Sequence, residues 1–143
     1  MKKTIGLEKT MTKKKVIIPE GGAKPLAPYS PGIRHGNLVF TSGQVGIDPA
    51  TGALAEGGVA AQARQALLNL GKVLEAAGCG FEDVLKCTVF MRDMADYGVI
   101  NEVYGEFFTE KPPARSAVAV LGLPIDALVE IEAVAIRKKK KKK

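Results

Sequence analysis

Apolar positions recur with a helical period between Val59 and Ala77. They share one face of a helix and fall at positions 59, 63, 66, 67, 70, 73, 74 and 77. Most polar residues of the segment take the other face, namely Gln62, Arg64, Gln65, Asn69, Lys72 and Glu75. Gly78 follows where helices commonly end on a left-handed residue. The pattern predicts an amphipathic helix over 59–77.

A second helical stripe begins after Asp96, which we expect to cap the helix through its side chain. Its apolar members are Val99, Ile100, Val103, Tyr104, Phe107 and Phe108. Pro112 and Pro113 prevent the helix from continuing, since proline lacks the backbone donor and clashes with the preceding turn.

Strand patterns surround the two helices. Residues 38–45 contain the β-rich run Val39-Phe40-Thr41, and Val16-Ile17-Ile18 is a short apolar run near the start. Residues 84–91 alternate, with positions 85, 87, 89 and 91 on one side and 84, 86, 88 and 90 on the other. Two further strands are predicted over 115–121 and 127–136, separated by a turn at 123–126.

The order of these elements predicts an α+β fold. One sheet with both helices on a single face is the arrangement that covers each apolar stripe most simply. The other sheet face is then partly apolar and uncovered, which favours oligomerisation.

Charge is distributed unevenly along the 143 residues. The net charge is +6, but residues 1–15 hold six lysines and 137–143 hold Arg137 and six lysines. Removing these thirteen basic residues and Glu8 leaves eight basic and fourteen acidic residues, a net charge of −6 over 16–136. We therefore expect a basic flexible leader over 1–15, one domain over 16–137 and a disordered lysine tail over 138–143.

The lysine tail has three open interpretations: an engineered tag, a natural solvated tail, or a weak polyanion-binding segment. No apolar run is long enough for a membrane helix, and the basic N-terminus lacks the apolar segment of a secretory signal. A cytoplasmic protein without membrane contact is expected. Cys79, Cys87 and the single His35 have no metal-ligand spacing, so two reduced, mostly buried thiols are predicted.

Arg115 stands alone in an otherwise apolar segment and needs an anionic partner if it is buried. It could form a salt bridge with Glu130 or Glu132, lie at an exposed strand end, or capture a substrate carboxylate with its planar fork. Glu130 and Glu132 share one sheet face, either as a solvent-facing acidic stripe or with one of them beside a catalytic water. At Ser42-Gly43, small residues would let the backbone approach a ligand closely.

These residues lie in blocks that resemble the RidA (YjgF-type) family of reactive intermediate deaminases. The similar blocks appear in order, from about Lys24 to Arg137: Ala27–Gly32, Phe40–Gln44, Ala61–Leu67, Val103–Phe108, Pro113–Ser116 and Val129–Ala133. An ordered set of blocks over most of the chain is far more specific than any one of them.

The resemblance implies a chorismate-mutase-like α+β subunit with a single mixed sheet. It also implies a homotrimer whose three active sites lie between neighbouring subunits, with no metal or organic cofactor. The substrates implied are 2-imino or enamine acids such as 2-aminoacrylate and 2-iminobutyrate, hydrolysed to 2-keto acids and ammonia. Arg115 would bind the substrate carboxylate and Glu130 would assist the water, while Tyr29, Ser42 and Gly43 would line the pocket.

Two other functions remain open. Relatives of this family have been described as translation inhibitors with ribonuclease activity, but the acidic core makes nucleic-acid binding weak outside the lysine ends. The apolar stretch over 117–125 departs from the family pattern, as does Ala117, where relatives often carry Cys or Thr. This stretch favours a trimeric scaffold component, natural or engineered, with an assembly partner.

Overall fold

The structure is a computed structural model that describes residues 13–21, 25 and 27–138. The strands in this part of the chain are β1 (Lys15–Ile17), β2 (Gly32–His35), β3 (Leu38–Thr41), β4 (Gln44–Val45), β5 (Val84–Met91), β6 (Ala114–Ala119) and β7 (Val129–Ile136). The helices are α1 (Gly58–Ala76) and α2 (Tyr97–Phe107). Most of the predicted basic leader and the tail after Lys138 lie outside the described residues, while Lys15 begins β1.

The strands form one mixed sheet in the order β1-β2-β3-β7-β5-β6. Strand β4 also pairs with β7, at Glu130 and Ile131, next to the residues of β7 that pair with β3. All neighbouring pairs are antiparallel except β5 with β6, which run parallel. Helix α2 forms the crossover between these two strands, because parallel neighbours cannot be joined by a hairpin.

Both helices pack on the same face of the sheet, which confirms the predicted α+β, chorismate-mutase-like arrangement. The core between helices and sheet contains apolar side chains from every layer, including Leu67, Leu70, Leu74, Ile100, Val103, Cys87, Val89, Val129 and Ile131. In β7, every second residue from Val129 to Ala135 is buried, as the period-two alternation of a strand predicts.

Polar residues of α1 also fix neighbouring loops. Gln62 was expected on the polar face, but it is 7% exposed and its amide oxygen accepts a hydrogen bond from the Leu128 backbone at 2.8 Å. The Asn69 amide donates to the carbonyl oxygens of Val45 at 3.1 Å and Ile47 at 2.8 Å. These bonds satisfy backbone groups where strands enter and leave the sheet.

The capping of α2 differs from the prediction. The Asp96 side chain makes no capping bond; instead, the Asp93 carboxylate accepts from the Ala95 backbone at 2.9 Å, at the start of a short 3-10 turn over Met94–Asp96. Val99 is exposed rather than part of the buried stripe. Helix α2 still begins at Tyr97, directly after Asp96, so the position of the helix was predicted and only its side-chain cap was not.

Strand β5 contains a register shift between Val84 and Lys86, so the prediction that Leu85 shares a face with Cys87 was wrong. Val84 is buried and Leu85 is exposed. A β-bulge adds one residue to a strand and reverses the faces on one side of it.

The sheet face opposite the helices carries exposed apolar side chains, including Leu38, Phe40, Val118 and Ile136. The apolar stretch over 117–125 is also exposed in part: β6 ends at Ala119, Leu121 is fully solvent-exposed, and Ile125 has a left-handed φ of 53°. Uncovered apolar surface of this kind is typical of interaction sites, and association with other chains stays a prediction. Among the described residues, no helix combines the length and apolar character that a membrane crossing requires.

We predict that Gln62→Ala destabilises the protein by about 1 to 3 kcal/mol, because it removes the buried acceptor of the partly buried Leu128 N–H. Urea unfolding at pH 7 measures the change. Lys72→Ala, on the exposed side of the same helix, is the control and should change the stability by less than about 0.5 kcal/mol. Equal stabilities for the two variants would show that the Gln62 bond contributes nothing.

Candidate functional site

The predicted strand over 38–45 is two strands, β3 and β4, interrupted at Ser42-Gly43. The break arises because the Thr41 hydroxyl, rather than a backbone carbonyl, accepts from the Ala133 N–H at 3.0 Å. Ser42 then turns towards the preceding loop, where its N–H donates to the Pro31 carbonyl at 2.9 Å and its hydroxyl to the Ser30 carbonyl at 2.6 Å.

Gly43 lies directly against the side chain of Glu130. A Cβ atom at position 43 would overlap the Glu130 carboxylate, so only glycine permits this approach. Tyr29 immediately precedes Ser30, the partner of Ser42, and its side chain is 54% exposed. We call Tyr29, Ser42, Gly43 and Glu130 the carboxylate half-site.

Glu130 is partly buried on the sheet face that points away from the helices. Burial raises the pKa of its carboxyl group above the ordinary value, and the charge of Glu132 on the same face raises it further. A carboxylate with a raised pKa is a stronger base towards a bound water than an exposed glutamate.

Arg115 lies on the edge strand β6, opposite Cys87 of β5, and faces the helices. Its guanidinium donates from Nη1 to the Asn101 side-chain oxygen at 2.9 Å and from Nη2 to the Tyr97 hydroxyl at 3.0 Å. It also lies over the Tyr104 ring, 4.8 Å from the centroid. We call Arg115, Tyr97, Asn101 and Tyr104 the arginine half-site.

The alternative that Arg115 pairs with Glu130 or Glu132 is wrong. Those glutamates point to the opposite sheet face, because they alternate with the buried residues of β7. Within the described part of the chain, the ion pairs join other residues, and the hydrogen-bond partners of Arg115 are both neutral. No carboxylate in the described ranges therefore compensates the charge of Arg115.

The structure thus gathers Ser42, Gly43 and Glu130 at one place, with Tyr29 next to it in the chain, but it puts Arg115 elsewhere. The carboxylate half-site belongs to the outer sheet face, and the arginine half-site lies between the sheet edge and α2. Within a single chain, the two half-sites do not face one another.

Below Arg115, the Tyr104 hydroxyl and the Cys87 thiol are buried. The hydroxyl has no hydrogen-bond partner of regular geometry within the described residues. Burial raises the pKa values of both Tyr104 and Cys87, so both stay protonated at neutral pH. Cys79 is partly exposed rather than buried, and burial, followed by Asp83 and Glu82, raises its pKa too. Raised thiol pKa values disfavour a cysteine nucleophile.

Within the described ranges, no group of three or more His, Cys, Asp or Glu side chains could hold a metal ion. Tyr97 and Asn101 were not predicted as site residues. Their only sequence signal is spacing, because positions 97, 101 and 104 share one face of a helix. That signal is weak, since tyrosines at this spacing also occur in ordinary cores.

Comparison of the sequence with known proteins shows the family of the chain. The sequence model of the family described as endoribonuclease L-PSP matches residues 21–137. The chain belongs to this family, the RidA (YjgF-type) family.

Individual members are similar over nearly their whole length. A RutC family protein of Pyrococcus horikoshii is 49% identical over 87% of this chain and 98% of its own length. The mouse protein named 2-iminobutanoate/2-iminopropanoate deaminase is 45% identical over 87% and 92%. The solved structure of E. coli TdcF with bound serine has a TM-score of 0.82 and 42% identity, covering 87% of this chain and 99% of that one.

We predict that Glu132→Gln lowers the pKa of Glu130. The Glu132 charge disfavours ionisation of its neighbour, so its removal should make Glu130 lose its proton at a lower pH. A carboxyl carbon NMR titration of the folded protein measures this value. Glu102→Gln, an exposed change on α2, should leave the titration unchanged. An unchanged or higher Glu130 pKa in Glu132→Gln would contradict the coupling.

Proposed function

We propose that the protein hydrolyses 2-imino or enamine acids to 2-keto acids and ammonia. In this proposal it acts as a homotrimer, and each active site combines the arginine half-site of one subunit with the carboxylate half-site of its neighbour. 2-Aminoacrylate and 2-iminobutanoate are the expected substrates.

The single observation that carries the proposal is the environment of Arg115. Its guanidinium is held in one orientation by the neutral groups of Asn101 and Tyr97. A positive charge that is oriented but not neutralised is suited to bind an external anion, and a planar fork matches a carboxylate. Every 2-imino acid carries a carboxylate beside its reactive carbon.

Glu130 supplies the second chemical requirement. Its raised pKa and its place beside Gly43 support a role as the base that receives a proton from an attacking water. The water oxygen bonds to C2 as the C=N π bond breaks, and the nitrogen takes up a proton. In the resulting carbinolamine the hydroxyl proton is transferred to the nitrogen, with Glu130 able to relay it, and the C–N bond then breaks as the C=O bond forms, which releases the keto acid and ammonia. Orientation of the two reactants supplies much of the rate.

Assembly follows from the positions of the two half-sites. Arg115 and Glu130 face opposite sides of one sheet, so a second chain is needed to bring such groups together. The outer sheet face around Glu130 also exposes Phe40 and Ile136, apolar surface that a neighbouring subunit would bury.

Relatives support the proposed chemistry. The mouse relative is named for deamination of 2-iminobutanoate and 2-iminopropanoate, and proteins from Salmonella and human carry the same name at 46% identity. The TdcF structure holds serine, an amino acid with a carboxylate, which is the group we assign to Arg115.

A scaffold function is the second candidate, favoured by the full exposure of Leu121 and the outward position of Ile125 in a strained backbone. Light scattering separates the two: particles larger than a trimer would favour assembly through this turn. For RNA binding, the acidic balance over 16–136 offers no comparable support.

We predict that Arg115→Ala lowers kcat/KM for 2-iminobutanoate by the equivalent of about 2 to 5 kcal/mol, because the charged pair with the substrate is lost. Arg115→Lys should also be impaired, since an ammonium cannot reproduce the fork. Keto acid release from freshly generated imine measures the rates. Arg64→Lys, at an exposed ion pair with Glu106, is the matched control and should keep the wild-type rate. A fully active Arg115→Ala variant would remove Arg115 from the mechanism.

We also predict complementation between inactive variants. Arg115→Ala and Glu130→Gln should each be inactive alone, but every mixed trimer contains one junction that keeps both groups. Unfolding and refolding equal amounts together should restore about one quarter of the wild-type activity, if subunits mix at random in a closed ring.

No recovery in such mixtures, with mixed trimers verified by mass spectrometry, would place Arg115 and Glu130 in the same subunit's site or outside the mechanism. An active monomer by light scattering would contradict the shared site directly.

A further inference from the structure

We infer that the Tyr97 hydroxyl is a positioning group that fixes the plane of the Arg115 guanidinium and so strengthens carboxylate binding. This inference deepens the proposed function and rests on it for the identity of the substrate. It concerns the hydroxyl group alone, not the aromatic ring.

The geometry is a two-point attachment. Tyr97 and Asn101 lie one helical turn apart on α2, and each accepts a hydrogen bond from a different terminal nitrogen of Arg115. With one bond, the guanidinium could still rotate about the remaining contact. With two bonds, its plane and its free edge have a fixed direction.

The aromatic ring of Tyr97 makes the more distant of two cation–π contacts with Arg115. Its centroid lies 5.5 Å from the guanidinium carbon, whereas the Tyr104 ring lies at 4.8 Å and already supplies the closer cation–π contact. The two hydroxyls also differ: that of Tyr104 is buried without a regular partner among the described residues, whereas that of Tyr97 accepts from Nη2. Of the two tyrosines, Tyr97 is therefore the one that orients the arginine by hydrogen bonding.

The Tyr97 hydroxyl is also suited to this role electrically. It uses an oxygen lone pair to accept from Arg115, and because it is a phenol rather than a carboxylate, it orients the cation without neutralising it. An oriented guanidinium loses less conformational entropy when a carboxylate binds, which increases affinity without a new contact.

The test is Tyr97→Phe, which keeps the ring and removes the hydroxyl. The dissociation constant of 2-oxobutanoate, an unreactive carboxylate, should rise about 2- to 12-fold, the range of one hydrogen bond. The KM for 2-iminobutanoate should rise in parallel, while kcat changes by less than about twofold, because the loss affects ground-state and transition-state binding alike. Val99→Ala, an exposed change two residues away, should leave both constants unaltered.

A spectroscopic signature separates positioning from a general structural defect. In protein labelled with ¹⁵N-arginine, rotation of the Arg115 guanidinium should be slow in the wild type and faster in Tyr97→Phe. Thermal unfolding should show both proteins folded at the temperature of measurement. Unchanged rotation or an unchanged 2-oxobutanoate affinity in Tyr97→Phe would overturn the inference.

The two proposals can fail separately. If the wild type binds 2-oxobutanoate and Tyr97→Phe weakens that binding, but neither hydrolyses imino acids, the positioning role stands and the deaminase function falls. If hydrolysis is efficient and Tyr97→Phe matches the wild type in every constant, only the positioning role falls. A wild type that binds no carboxylate overturns both.

Discussion

Strand β7 pairs with β3, β4 and β5, and sends alternate side chains to opposite faces of the sheet. Its inward residues, Val129, Ile131, Ala133 and Ala135, are all buried against the helices. A shift of one residue in its register would bury Glu130 and Glu132 and expose this apolar set. The hydrophobic core therefore determines where Glu130 lies, and the same register that stabilises the fold positions the candidate base.

The same alternation keeps the two charged groups of the proposed site apart. An arginine and a glutamate on one sheet face, close enough to cooperate, would form a salt bridge and neutralise each other before any substrate arrived. With Arg115 towards the helices and Glu130 on the outer face, the cation keeps neutral partners and the carboxylate keeps a raised pKa. If Arg115 of one subunit lies opposite Glu130 of a neighbouring subunit, both groups can act on a substrate bound between them.

Local patterns in the sequence were sufficient for both helices, for β7 and for the one-sided packing of α1 and α2. Apart from the cap of α2, which depends on a local bond between Asp93 and Ala95, the errors have a common physical origin in contacts between residues far apart in the chain. Gln62 is buried because Leu128 needs an acceptor, and the strand over 38–45 breaks where the Thr41 hydroxyl bonds Ala133. The bulge in β5 similarly depends on its partner strand. Periodicity describes one segment at a time and carries no information about such partners.

The site was predictable in the same uneven way. Arg115 and Glu130 were identified because charged residues in apolar strands need an explanation, and the family resemblance gave each a role. Their relative placement required the register of β5, β6 and β7, which decides the face of each side chain. Tyr97 and Asn101 gave almost no signal, because neutral polar residues on a helix are ordinary and become informative only next to Arg115.

The neutrality of these two residues is itself part of the argument for anion binding. An aspartate or glutamate at position 97 or 101 would orient the guanidinium at least as firmly, through a charge-assisted bond. It would also neutralise the positive charge that a substrate carboxylate requires. A structural arginine is therefore expected to have acidic partners, and a ligand-binding arginine neutral ones. Arg115 has an amide oxygen at 2.9 Å and a phenol at 3.0 Å. Recognition of a small carboxylate requires a guanidinium that is held in a fixed orientation and whose positive charge is not neutralised by the protein.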